Sequence, residues 1–247
     1  MSFSFLHRNR SATETSRFPP FLVDTHAHIL PALDNGPETL DESISLLQEM
    51  SMYGIRKVIA TPHIMGDYYR NSIEAIQQAQ KRLRSELMRR CISLELEIAA
   101  EYYLDVSLLS TLENNQPLLP IGDTYLLLET SIVGMPSFLE EAIELIQQRN
   151  LIPVLAHPER YHYLQQDFEK VRNLHRNGVL FQVNLGSWQS THQATRTLAE
   201  RLVNEGLVSF MGSNVHNTRD WGKAREALRS KTFAQSVEKG LLNQHLL

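Results

Sequence analysis

The sequence predicts an α/β fold in which a mainly parallel sheet is covered by helices. Short strand-forming segments alternate with longer segments of helical period along most of the chain, the pattern of repeated strand–helix units. Segments such as 124–130 and 151–157 are almost continuously apolar, as expected for strands covered on both faces. A βα barrel and a doubly wound open sheet both satisfy these observations.

The strand candidates define the domain organisation. Residues 1–19 are rich in Ser, Thr and Arg and are predicted to be a flexible lead-in. Residues 20–247 are predicted to form one domain, because no repeat, low-complexity block or composition shift divides them. The seven strand candidates in this range are 21–26, 56–63, 93–101, 124–130, 151–157, 179–184 and 207–214.

Helices are expected between most of these strands, and the first is the best marked. Thr39 is a candidate N-cap, Glu42 completes a capping box, and Gly54 is a candidate C-cap. The apolar positions between these caps recur at helical spacing. They are Leu40, Ile44, Leu47 and Met50.

Composition excludes several classes of protein. The chain has 247 residues, of which 42% are hydrophobic and 21% charged, as in ordinary globular proteins. A net charge of −4 argues against a nucleic-acid partner. The single cysteine, Cys91, suits a reducing compartment, and no segment resembles a signal peptide or a membrane span. The sequence therefore predicts a cytoplasmic protein without an integral membrane segment.

Imidazole and carboxylate side chains cluster at the C-terminal ends of the predicted strands. In a βα barrel these ends meet on one face, so residues far apart in sequence converge there. Taken singly, each histidine is more simply explained by packing. Together, they form a set that suits Zn, Mn or Fe. The set comprises His26, His28, His63, His157 and His216 with Glu101 and Glu129. His7, His162, His175, His192 and His245 are predicted to be ordinary surface residues.

The motifs that are absent narrow the chemistry to metal-assisted hydrolysis. A cysteine-dependent phosphatase needs C-x5-R, but Glu97 stands six residues after Cys91. Nucleotide-binding glycine loops and the G-x-S-x-G elbow are also missing from the sequence. Two or three metal ions would hydrolyse a phosphoester without a protein nucleophile. Arg160 is placed to grip the phosphate through its guanidinium fork, although a surface ion pair is the alternative role.

Six motifs in order carry a resemblance to a known family: D-T-H-A-H-I-L-P-A-L-D-N-G, I-A-T-P-H, A-E-Y-Y, L-L-L-E, V-L-A-H-P-E-R-Y and G-S-N-V-H-N. Residues 21–217 resemble the capsule-type protein-tyrosine phosphatases of the polymerase and histidinol phosphatase (PHP) family. The resemblance implies a distorted seven-stranded βα barrel with two or three metal ions, most often manganese, with Fe or Zn as alternatives. It also implies a bridging hydroxide that dephosphorylates the C-terminal tail of a bacterial tyrosine kinase controlling polysaccharide export.

The resemblance also assigns roles by position. It implies His26, His28 and Glu101 as ligands of a first metal. Glu101, bridging, would join Glu129 and His157 at a second metal, and His63 and His216 would hold a third. Arg160, Glu101 and His157 are the implied catalytic residues.

Two asparagines depart from the family pattern. Asn35 stands in Asp34-Asn35-Gly36 where the family has Asp-Asp-Gly, and Asn214 stands where it has the aspartate of Ser-Asp-x-His. Each amide keeps a carbonyl oxygen for a metal but loses a negative charge. Asp34 could substitute for Asn35, although its side chain would start from the opposite side if the segment is extended. Two alternatives therefore stay open: a small-molecule phosphatase of histidinol-phosphatase type, and a degenerate regulator that binds phosphotyrosine. Tyr68, Tyr69 and Arg70 are candidates for the mouth of the site, or for packing.

Overall fold

The computed structural model describes residues 19–247, so most of the predicted lead-in lies outside the described residues. The described strands are β1 (Val23–Ala27), β2 (Lys57–Ala60), β3 (His63–Ile64), β4 (Glu95–Ile98), β5 (Glu101–Tyr103), β6 (Tyr125–Glu129), β7 (Ile152–Ala156), β8 (Leu180–Asn184) and β9 (Val208–Gly212). The described helices are α1 (Leu40–Tyr53), α2 (Ile73–Arg89), α3 (Val106–Glu113), α4 (Leu139–Gln148), α5 (His162–Gln166), α6 (Phe168–Arg176), α7 (Gln193–Asn204), α8 (Thr218–Ala227) and α9 (Lys231–Glu238).

All strand pairs within the sheets are parallel, which confirms the predicted α/β class. Over residues 19–247 the strands form a sheet of order β1-β2-β4 and a sheet of order β3-β5-β6-β7-β8-β9. β1 also lies beside β9, where the backbone N–H of Asn214 donates to the carbonyl of His26 at 2.8 Å and Ala27 bridges to Val215. The two sheets therefore meet at the end of β1 that carries the H-x-H motif.

Two of the seven strand candidates are each divided in two. Candidate 56–63 becomes β2 and β3, with the break at Thr61-Pro62, where proline has no N–H to donate to the ladder. Candidate 93–101 becomes β4 and β5, because the N–H of Ala100 turns away to the carbonyl of Leu119 at 3.0 Å. Because of these breaks, β2 and β4 belong to the first sheet, whereas β3 and β5 belong to the second.

The first helix has the predicted caps. The Thr39 side chain accepts from the N–H of Glu42, the Glu42 carboxylate accepts from the N–H of Thr39, and Gly54 ends α1 at φ 113°. No helix among residues 19–247 is both long and apolar enough to cross a membrane.

The C-terminal residues close the end of the strands opposite to the histidines. The amide of Asn243 donates to the carbonyls of Val23 and Met211. Lys57 Nζ, at the start of β2, donates to the carbonyl of Leu246 at 2.6 Å. A small interior cluster of apolar side chains from β1, β2, β6, β7 and β9 packs against these C-terminal residues. The other end of the strands is left for polar side chains.

Candidate metal centre

Glu101 stands at the centre of a group of buried imidazoles. It begins β5 and is 1% exposed. Its Oε2 lies 3.2 Å from the Nε2 atoms of His26, His28 and His63, and its Oε1 lies 3.0 Å from Nε2 of His157. The strands β1, β3, β5 and β7 thus bring four of the histidines identified in the sequence onto one carboxylate.

Glu129, at the end of β6, contacts two imidazoles of the same group. Its Oε2 lies 3.3 Å from Nε2 of His63 and its Oε1 lies 3.7 Å from Nε2 of His157. The residues that the resemblance implied for a second metal, Glu101, Glu129 and His157, are therefore neighbours in the structure.

Asp34 belongs to the cluster, although the sequence resemblance favours its neighbour Asn35 as the ligand. Asp34 Oδ2 lies 2.6 Å from Nδ1 of His28 and 3.3 Å from Nδ1 of His63. Its Oδ1 accepts from the N–H of Gly36 at 3.1 Å. The segment is thus a turn and not an extended chain, so alternation of side chains does not apply. Asn35 is exposed and lines a surface cavity that His216 also lines.

Gln182 is a second residue that the sequence reasoning missed. It is 1% exposed in β8, and its Oε1 lies 2.7 Å from Nδ1 of His26. An amide oxygen accepts hydrogen bonds but does not donate them. Nδ1 of His26 therefore carries the proton, and Nε2 presents a lone pair to Glu101. A glutamine in the middle of an apolar strand was the signal that could have identified it.

These hydrogen bonds test whether the cluster fits a cation. Asp34 fixes the same tautomer in His28 that Gln182 fixes in His26. The two Nε2 lone pairs then lie 3.1 Å apart, and both face a carboxylate oxygen of Glu101. Such an arrangement is repulsive unless a metal ion or, in metal-free protein, a proton supplies positive charge between the atoms. Hydrogen bonds to Asp34 and Glu101 raise the pKa of His28 against the effect of its burial, so His28 takes up that proton when no metal is bound. Spacings of about 3 Å between ligand atoms suit a cation with bonds of about 2.0–2.2 Å.

The pKa values also indicate that the buried carboxylates of the cluster favour a positive charge beside them. Burial raises the pKa of Glu101, but the imidazoles around it lower the pKa well below its usual range. Burial lowers the pKa of His63, yet hydrogen bonds to Asp34 and Glu129 raise it to about 10. In metal-free protein, a proton on His63 therefore supplies part of the charge that a metal would supply.

Three groups of side chains have ligand atoms close enough to share a metal ion. The first is His26, His28 and Glu101; the second is His28, Asp34 and His63; the third is His63, Glu101 and Glu129. The groups share members, so ions held by them would be close neighbours. Imidazole and carboxylate ligands of this kind suit Zn, Mn or Fe.

Asn214 and His216, beyond the end of β9, border the cluster. Asn214 has a left-handed backbone (φ 50°), and its buried Oδ1 has no hydrogen-bond partner among the described residues. The His216 ring stacks on His28 with centroids 4.2 Å apart. Burial and the nearby charge of His28 lower the pKa of His216 to about 3, so this imidazole is neutral. An unpartnered oxygen and a neutral imidazole are both suitable metal ligands.

The residues after β7 build one wall of a polar cavity. His157 has a left-handed backbone (φ 33°) and starts the short turn Pro158–Arg160. Glu159 in this turn is fully buried and accepts from the N–H of Asn184 and the hydroxyl of Ser187. This fixes the turn against the end of β8. Arg160 then lines a cavity of about 680 Å³, together with Asn184 and Asn214.

The remaining candidates lie around the mouth of the site. The Tyr69 ring stacks on His63 with centroids 5.4 Å apart, Tyr68 is 77% exposed, and Arg70 Nε donates to the carbonyl of Gly66. The predicted surface histidines His162, His175, His192 and His245 are exposed, whereas His7 lies outside the described residues. His162 and His192 nevertheless line the polar cavity, a role that their sequence positions did not indicate.

Comparison with known proteins agrees with this geometry. Residues 22–239 match the family model described as capsular polysaccharide synthesis, CpsB/CapC. The tyrosine-protein phosphatase YwqE of Bacillus subtilis (strain 168) is 30% identical over 200 residues, 80% of this chain and 78% of that protein. The tyrosine-protein phosphatase CpsB of Streptococcus agalactiae is 25% identical over 246 residues, 91% of this chain and all of that protein.

Solved structures give the same result. A chain from the crystal structures of Bacillus subtilis YwqE and Streptococcus pneumoniae CpsB, described as unique metal-dependent tyrosine phosphatases, superposes with a TM-score of 0.79 at 28% identity. The match covers 91% of this chain and 95% of that one. A phosphotriesterase homology protein from Escherichia coli matches with a TM-score of 0.52 at 11% identity, which shows a shared fold alone.

Proposed function

The chain belongs to the capsular polysaccharide synthesis CpsB/CapC family, and from this premise we propose that it is a metal-dependent protein-tyrosine phosphatase. The observation that carries the proposal is the arrangement of four imidazoles around the buried carboxylate of Glu101. The single cysteine, Cys91, is exposed just beyond the end of α2. This placement agrees with a reaction that does not use a thiolate nucleophile.

The proposed ligands come from six of the strand ends and from the turn after β1. They are His26, His28, Asp34, His63, Glu101, Glu129, His157, Asn214 and His216. Asp34 takes the role that the sequence resemblance had given to Asn35, because only Asp34 reaches the imidazoles. Glu101, which contacts four of them, is proposed as the bridging ligand.

Divalent metal ions in this site would polarise the phosphoryl group and activate a water molecule. The protein contributes binding and orientation. We propose that the guanidinium of Arg160 holds two phosphoryl oxygens through its parallel N–H groups. Gln182 and Asp34 keep the imidazoles of His26 and His28 in the tautomer that presents Nε2 to a metal. Tyr69, stacked on His63, supplies an aromatic wall for the phosphotyrosine ring.

Several finer points are part of the proposal. We propose manganese as the most suitable ion, with iron or zinc as alternatives and two or three ions per chain. The proposed substrate is the phosphotyrosyl C-terminal tail of a bacterial tyrosine kinase in polysaccharide export, met in the cytoplasm. Residues 20–247 are proposed to be one domain whose seven strand–helix units form a distorted barrel. The contact of β1 with β9 supports this last point.

A comparison of substrates tests the proposal. Protein prepared without chelator would be assayed with Mn²⁺ on a phosphotyrosyl peptide, the same peptide with phosphoserine, and histidinol phosphate. Fastest hydrolysis of the phosphotyrosyl peptide is the expected result. Faster hydrolysis of histidinol phosphate would favour a small-molecule phosphatase. A phosphotyrosyl peptide that binds but is never cleaved would favour the binding regulator.

A further inference from the structure

The polar cavity beside the metal centre is larger than a phosphate group requires. Its volume of about 680 Å³ is in the range of sites that hold a whole organic ligand. Three of its lining residues are hydrogen-bonded to residues of the metal centre: Arg160 to His157, Asn184 to Gln182, and Asn214 to His26. His192 and Lys223 extend the lining to the loop before α7 and to α8. A phosphate bound at the metal centre would leave room for a neighbouring part of the substrate.

The charge of the cavity lining is positive. Arg160 and Lys223 are its permanent cations and Asp220 is its carboxylate. Over the part of the chain that the structure describes, no ion pair joins Arg160 to a carboxylate. Lys223 Nζ lies 3.8 Å from Oδ1 of Asp220, beyond hydrogen-bonding distance. Arg160 is therefore available to a ligand, and Lys223 is held only by a weak, exposed ion pair that a ligand carboxylate can displace.

The start of α7 adds to this positive field. Residues 190–195 line the cavity, and the 12-residue helix begins at Gln193. Its N-cap residue, His192, makes no side-chain capping bond, and the first turn contains no acidic residue. The partial positive charge of the helix N-terminus is thus not offset by a carboxylate of the helix itself.

We propose that this cavity binds the carboxylate of an Asp or Glu that neighbours the phosphotyrosine in a polypeptide substrate, and that Lys223 selects it. The inference rests on the proposed function, which places the phosphotyrosine at the metal centre. Arg160 adjoins that centre and is assigned to the phosphate, so Lys223 is the cation left for a second group. Lys223 and Asp220 then balance in charge, and the uncapped start of α7 supplies the remaining partial positive charge. This matches a single carboxylate better than a second phosphate dianion.

Phosphotyrosyl peptides that differ by one charge test this assignment. Matched peptides would carry Glu, Gln or Lys beside the phosphotyrosine, and kcat/KM would be measured with Mn²⁺. The wild-type protein is expected to favour Glu over Gln by roughly two- to fivefold, the range of a partly exposed charge pair. Lys223→Glu is expected to reverse the order and favour Lys. Equal rates for the three peptides in both proteins would overturn the proposal.

Lys231→Glu is the matched control. Lys231 begins α9 and does not line the cavity, and its replacement changes the net charge by the same amount. This variant is expected to keep the wild-type preference for Glu. A reversal as large as that of Lys223→Glu would mean that the general field of the protein selects the peptide, and would also overturn the proposal.

A second measurement separates this proposal from the proposed function. Hydrolysis of para-nitrophenyl phosphate reports the metal centre without a peptide, so its absence together with absent peptide hydrolysis would count against the phosphatase. Fluorescence anisotropy of the labelled phosphopeptides on metal-loaded protein still tests the cavity in that case. Tighter binding of the Glu peptide, reversed in Lys223→Glu, would support the cavity assignment, and equal binding would reject it.

Discussion

Asp34 fixes the orientation of two histidine rings in the cluster. Its carboxylate contacts Nδ1 of both His28 and His63, and it orients both rings toward Glu101. Asp34→Asn is expected to weaken Mn²⁺ binding and lower kcat/KM by at least roughly 10- to 100-fold, because the carboxylate orients two metal ligands and is itself a proposed ligand. A Mn²⁺ titration with an activity assay would measure both effects.

Asn35→Asp provides the comparison for that variant. Asn35 is exposed, so a carboxylate there is expected to change Mn²⁺ affinity by less than about threefold, within the range of weak surface electrostatics. A large gain in affinity from Asn35→Asp, with little loss from Asp34→Asn, would show that the neighbouring position supplies the ligand instead.

The contact between Gln182 and His26 leads to a separate prediction. Gln182→Leu removes the acceptor that holds the proton on Nδ1 of His26, and is expected to lower metal affinity by about 10- to 100-fold. Gln80→Leu removes an amide that donates to the carbonyl of Leu96, outside the metal centre, and serves as the control. Isothermal titration with Mn²⁺ would compare the variants, and unchanged affinity in Gln182→Leu would contradict the assigned role.

At the scale of elements, the approach of β9 to β1 positions the H-x-H motif. A Cβ added to Gly212 would lie 2.4 Å from Cβ of His26 and 3.0 Å from Nε2 of Gln182. Gly212→Ala is therefore expected to displace His26 and to reduce bound metal. Gly134→Ala, whose Cβ would meet no atom within 4 Å, is the matched control. Metal content would be measured by mass spectrometry. Equal content in both variants would contradict the claim that the approach of β9 to β1 positions His26.

The elements also show what a sequence can predict about this fold. Each of the seven predicted strand segments coincides with one or two of the nine strands described over residues 19–247. Strand ends located five histidines and two glutamates that lie in or beside the cluster. Pro62 is a visible break in the second candidate. The break at Ala100 depends on a distant carbonyl, that of Leu119, and leaves no local signal. The side chain of Asp34 faces inward because of a turn, which alternation along an extended chain does not describe.

At the scale of the whole molecule, metal binding and stability are linked. The candidate ligands come from strands of both sheets, so a bound ion stabilises the folded state and not the unfolded chain. Mn²⁺ at about 100 times its dissociation constant is expected to add about 2.7 kcal/mol, or roughly 5–10 °C in Tm for a chain of this size. Differential scanning calorimetry with and without chelator would measure the shift, and an unchanged Tm would contradict the link.

The pKa of His63 gives this link a pH dependence. In the metal-free fold the pKa is about 10, above the ordinary value of 6.5. Protonated His63 therefore stabilises the metal-free fold fully below pH 6.5, and this contribution is lost as pH rises toward 10. A metal must displace that proton. The Tm increase caused by a fixed Mn²⁺ concentration is expected to be larger at pH 8 than at pH 6, and a larger increase at pH 6 would contradict the sign.

The most direct test of the central claim combines a metal count with turnover. Protein purified without chelator would be analysed by inductively coupled plasma mass spectrometry and assayed on a phosphotyrosyl peptide with and without added Mn²⁺. Two or more ions per chain, with hydrolysis that Mn²⁺ stimulates and chelator abolishes, is the result we predict. One ion or none, with a peptide that binds but is never cleaved under any metal, would contradict a metal-dependent tyrosine phosphatase.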